Sequence, residues 1–114
     1  MNLLTKHQKA ILIENGRKAA AGDEIDPFPV VKLFLPGTRM TWLLTELDPE
    51  DEDRAFGLCD LGMGCPELGY VSLTELRSAR TRMGLTVERD LCFDADKTLS
   101  AYTEDARRHE MIMA

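Results

Sequence analysis

The chain has 114 residues, 44% hydrophobic and 30% charged, with a formal net charge of −6 and three cysteines. That is the size and make-up of one globular domain, residues 1–114, with one modest core. No apolar run approaches the ~20 residues that cross a bilayer, irregularly spaced cysteines in odd number argue against a disulfide framework, and an acidic balance without a Lys/Arg block gives no pull toward nucleic acid or an anionic membrane.

The opening "MNLLTKHQKA" lacks the long apolar stretch of a signal peptide, so the expected location is the cytoplasm. Thr5 and Gln8 have the spacing of a capping box and start a first helix. Ile11, Leu12 and Ala19 form its apolar stripe, Gly16 weakens its middle or ends it early, and Gly22 is the later stop. The loop "GDEIDPFP" follows. "VVKLFL" (30–35) and "TRMTWLLTEL" (38–47) read as two strands joined at Pro36-Gly37, a hairpin. "DPEDED" reads as a polar loop, "RAFGLCDL" (54–61) as a third strand, "GMGCPE" as a turn and "LGYVS" (68–72) as a fourth strand. Ser72 and Glu75 repeat the capping spacing and start a helix that presents Leu73, Leu76, Ala79 and Met83 on one face and stops at Gly84. "LTVERDLCF" (85–93) alternates as a half-buried strand, and a last helix begins near Asp96 or Thr98 with Leu99, Tyr102 and Ala106 inward.

The expected fold is α+β: a single antiparallel sheet of about five strands with an N-terminal helix, a helix between the last two strands and a C-terminal helix. The helices are expected on one face. Phe34, Trp42, Phe56, Tyr70 and Phe93, one for nearly every strand, are expected to form much of the core. Apolar residues on both faces of the first two strands require a second cover. Either the first helix crosses over or a second copy or partner fills the role, and covering within the chain is favoured.

Cys59 and Cys65 are spaced C-x5-C, which fits neither the C-x2-4-C of zinc sites nor the C-x-x-C of redox pairs. They are read as structural, and Cys92 lies far from them in sequence. His7 and His109 are read as surface residues. No catalytic residue, metal ligand or cofactor is expected, because nucleophile elbow, HExxH, Walker loop and dinucleotide fingerprint are all missing from the sequence. The strongest oddity is "ELDPEDED" (46–53), with six acids and no base; without it the chain is charge-balanced. If extended, it spans ~27 Å, one charge per ~4.5 Å against ~1.7 Å for duplex DNA. It is therefore a poor nucleic-acid mimic by itself. It suits a solvated tip or a docking patch for a basic partner better.

The strings "VVKLF", "TWLLTELDPEDEDRAFGLCDLGMGCPELGYVSLTEL" and "VERDLCFDADKTLSAYTEDAR" resemble a bacterial family, domain of unknown function 2958. The resemblance begins at "LLTKHQKAILIENGR" and runs nearly to the end. It implies no reaction, ligand or site residue. It implies a setting around plasmids, phages and integrated elements, hence an accessory or inhibitor protein of a mobile element. The closest matches are Trp42, Glu46, Asp48, Asp60, Gly62, Pro66, Glu67, Gly69 and Tyr70, of which Glu46, Asp60 and Glu67 are least explained by folding.

The expected function is a small non-enzymatic binding module. Glu46, Asp48, Glu50, Asp51, Asp53, Asp60 and Glu67 would engage a basic protein surface by charge complementarity. Neither direct nucleic-acid binding nor membrane binding is expected, and a homodimer is compatible with the pattern. The alternative is a small hydrolase or metal-dependent enzyme with Asp60 and Glu67 as paired carboxylates, assisted by Cys59 or Cys65.

Overall fold

The computed structural model describes residues 2–114. The Thr5 hydroxyl accepts from the Gln8 N–H at 3.0 Å and the Gln8 side chain accepts from the Thr5 N–H at 2.9 Å, so the capping box forms and opens α1 (Lys6–Ala20). This helix runs straight through Gly16. A Cβ there would stand 1.8 Å from the Leu47 carbonyl oxygen, so glycine is what lets the helix backbone touch the neighbouring strand. Strand β1 (Val31–Phe34) pairs antiparallel with only the first half of β2 (Thr41–Asp48). Alongside the second half lies α1, where Asn15 Nδ2 donates to the Thr45 carbonyl at 2.9 Å.

The acidic stretch is strand rather than loop. Only two residues separate β2 from β3 (Asp51–Asp60), and Asp48 pairs with Asp51. Asp48 Oδ1 accepts from the Glu50 N–H at 2.9 Å and fixes that reversal. At the other end β3 stops before Leu61, and β2 starts at Thr41 because 36–40 form the turn. β4 (Glu67–Ser72) pairs with β3. The Ser72 hydroxyl then caps α2 (Leu73–Ser78) by accepting from the Glu75 N–H at 3.2 Å.

α2 is shorter than the apolar spacing suggests. Ala79 is extended at ψ 137, and the Arg80 guanidinium donates to the carbonyls of Arg77 and Ala79, closing the helix end. Met83 is therefore 87% exposed, and Gly84, at φ +78, belongs to a tight turn in which the Thr81 N–H donates to Leu85. The expected strand 85–93 contracts to β5 (Glu88–Arg89), with Val87 buried and Leu85 and Leu91 exposed. The last helix, α3 (Leu99–His109), is capped from afar, since Asp26 accepts from the Ser100 N–H at 2.9 Å.

The sheet is antiparallel in the order β4-β3-β2-β1-β5. Helices cover both faces, not one. Leu3, Leu12, Leu73 and Leu76 pack on Val31, Leu33, Trp42, Leu44, Leu47 and Ala55. On the opposite face α3 brings Leu99, Tyr102 and Ala106 against Leu43 and Leu58. Cover for the second face comes from within the chain, supplied by α3. Of the five strand aromatics only Trp42 is buried, and leucine fills the core in their place. Among the described residues, no helix is long and apolar enough to cross a membrane.

Candidate functional site

The seven acids singled out above do not share one surface. Asp48, Glu50, Asp51 and Asp53 gather at the β2–β3 turn, while Asp60 and Glu67 lie at the far end of β3. Those ends are about 30 Å apart along a ten-residue strand. Asp53 is committed to structure, accepting from the Ser72 hydroxyl at 2.6 Å and from the Thr74 hydroxyl and N–H at 2.7 and 2.8 Å. These bonds, the Ser72 hydroxyl first, hold its carboxyl below the ordinary aspartate range. Asp60 is buried and binds the Gly62 N–H at 2.8 Å and the Ile112 N–H at 3.0 Å, fastening the tail after α3 to the sheet.

Asp60 and Glu67 also point to opposite faces. Glu67 stands opposite Cys59 and shares its face, so Asp60, one residue along, projects the other way. A paired-carboxylate centre has no basis in that arrangement. Burial pushes the Cys59 thiol up to about 11, which makes it a poor nucleophile. Cys65 and Cys92 are exposed free thiols. Among the described residues, no group of three or more His, Cys, Asp or Glu is placed to hold a metal ion.

Glu46 differs from the other acids. A bulge between Leu44 and Glu46 turns it toward Phe56, its partner on β3. It is half-buried, and desolvation raises its carboxyl above the ordinary glutamate value. No hydrogen bond or ion pair from a described residue reaches that carboxylate. Beside it opens a cleft of about 190 Å³, lined by Glu46, Asp48, Phe56 and Tyr70 on the sheet and by Gly16, Ala19 and Ala20 on α1. The Phe56 and Tyr70 rings lie 5.0 Å apart and inclined by 59°. The Arg54 guanidinium sits 3.8 Å from the Tyr70 ring centroid, so this aromatic surface already accommodates one cation.

The geometry explains each wall. Gly16, Ala19 and Ala20 fall at i, i+3 and i+4, a helical face of small residues that leaves room above the sheet. They bring the last turn of α1, the negative end of its dipole, to the cleft. Two carboxylates, the negative end of a helix dipole and two aromatic rings have the electrostatics that suit a cationic group. Sequence reasoning found Glu46 and Asp48 but placed Phe56 and Tyr70 in the core. The small-residue face on the first helix was the signal for the cleft's other wall.

A family model described as "Protein of unknown function (DUF2958)" matches residues 3–113. No curated protein and no solved structure matches the chain.

Proposed function

The chain belongs to the DUF2958 family of proteins of unknown function, and from that premise we propose that it is a binding module that takes an arginine or lysine side chain of a basic partner protein into the Glu46 cleft. The observation that carries this reading is the half-buried Glu46 carboxylate. It bears a desolvation cost, has no partner from the described residues and stands beside two aromatic rings. Carboxylates that fold the protein are satisfied internally, as Asp53 and Asp60 are; one held desolvated and unpaired is poised for an external cation.

One cation against Glu46 and the rings supplies a few kcal/mol at most, which alone is millimolar binding. The turn acids Glu50 and Asp51, exposed beyond the cleft, add steering and a wider contact. The module works in the cytoplasm as an accessory or inhibitor protein of a mobile element. Recognition is by protein contact, without catalysis.

The test is a two-dimensional NMR titration with a capped arginine-containing peptide and its citrulline isostere. Shift changes confined to Glu46, Phe56, Tyr70 and the last turn of α1, present for arginine and lost for citrulline, support the assignment. Equal responses to both peptides, or changes elsewhere, contradict it.

A further inference from the structure

Strand β4 is the outer strand of the sheet, and its free backbone edge is six residues long. The opposite edge is only the two-residue β5. Natural edges are usually blunted by charge, proline or a covering segment. Here the run "LGMGCPELGYVSL", residues 61–73, holds a single charged side chain, Glu67, in a chain that is 30% charged. Along it Leu61, Met63, Leu68 and Tyr70 are 52%, 80%, 42% and 59% exposed. They border a cavity of about 410 Å³ with Cys59, Cys65 and Val71.

We infer that the β4 edge is a self-association surface, on which a second copy of this chain pairs antiparallel about a two-fold axis to give a continuous ten-stranded sheet. Three observations choose the occupant. Charge is the first. The protein is net acidic, and this exposed run carries one charge in thirteen residues, so self-association meets little repulsion here while a basic partner finds only the Glu67 carboxylate. Register is the second. With the axis perpendicular to the sheet at Gly69, Leu68 lies opposite Tyr70 of the other copy on one face. The two Glu67 carboxylates then sit four residues apart, about 14 Å along the strands.

Area is the third. At roughly 150–200 Å² for a fully exposed large side chain, the four exposed fractions amount to about 400 Å² per copy. A symmetric pair therefore buries about 800 Å² of side chain, and the paired backbones carry the total past the roughly 1,000 Å² of a biological interface. A lone extended peptide would cover the strand but not Leu61 and Met63, which lie outside it in the 61–66 turn. This inference does not rest on the Glu46 reading, although Tyr70 borders both surfaces.

The experiment is sedimentation velocity on the full chain across the micromolar range, with Leu68→Lys and Met63→Lys variants checked for folding by circular dichroism. The inference predicts a 25.6 kDa species, twice the 12.8 kDa chain, in wild type and Glu46→Gln. Either lysine variant should shift it to monomer by at least tenfold in dissociation constant. Met63 is on an exposed turn, so its variant remains informative even if Leu68→Lys fails to fold. A wild-type monomer throughout, or a dimer indifferent to both lysines, would overturn the inference. So would a monomer whose β4 edge instead binds an unrelated extended peptide.

Discussion

Replacing Gly16 by alanine reads out how α1 docks on the sheet. Helix propensity alone would reward the change by about 1 kcal/mol. The packing opposes it, because the new methyl would stand 1.8 Å from the Leu47 carbonyl oxygen and 3.3 Å from Pro49 Cδ. An ordinary carbon–oxygen contact is about 3.3 Å, so the helix must retreat by roughly 1.5 Å. Retreat breaks the bond from Asn15 to Thr45, worth about 1 kcal/mol, and strains the contact at an overpacking cost of ~1–3 kcal/mol. The expected net is a destabilisation of about 1–3 kcal/mol, or a fall in Tm of about 4–12 °C for a domain of this size. Urea unfolding followed by the fluorescence of the single, buried Trp42 measures it directly. A neutral or more stable Gly16→Ala protein would refute the close approach of α1 to β2.

Asp60→Ala strands two backbone N–H donors, those of Gly62 and Ile112, and is expected to cost about 3–5 kcal/mol in the same urea assay. Asp26 and Asp53 have carboxyls held low by hydrogen bonds from serine and threonine, chiefly Ser100 and Ser72. Their stabilisation is present above the ordinary aspartate value of 3.8 and is lost as pH falls below it. Asp26→Asn with Asp53→Asn should therefore flatten the acid limb of a Tm-against-pH curve while lowering Tm at neutral pH. With a thiol reagent at pH 8, Cys65 and Cys92 react quickly, whereas half-buried Cys59, with its thiol near 11, holds little thiolate and reacts at least tenfold more slowly; three equally fast thiols would contradict its desolvation.

Elements with a local chemical signature were legible in the sequence. The Thr5–Gln8 box and the Ser72 cap start helices where their spacing says, and four strands in succession make the meander. Features decided by distant partners were not. α2 ends at Ser78 because the Arg80 side chain turns back on it, while the helical spacing of Met83 is coincidence. α3 is capped by Asp26, 74 residues away. The acidic segment looked like a loop because charge usually marks one, yet a two-residue turn braced by Asp48 keeps it in the sheet. That same pairing separates the seven acids. Pairing alternates side chains between faces, so nearness in sequence put Asp60 and Glu67 on opposite sides. Glu46 kept its significance because the bulge at Thr45 resets the alternation there, an irregularity no local pattern announces.

Glu46→Gln is the variant on which the cation cleft stands or falls, because it separates folding from binding in a single protein. A carboxyl raised by burial favours the folded state when protonated, and that advantage is lost as pH rises through its folded value; at pH 7 the ionised Glu46 is a burden on the free protein. Calorimetry on wild type and variant should find Tm raised at pH 7 and unchanged at pH 4, together with loss of the arginine-peptide heat at pH 7. A variant that binds the peptide as wild type does, or one that loses stability along with binding, would show that Glu46 serves the fold and that the cleft is not a cation site.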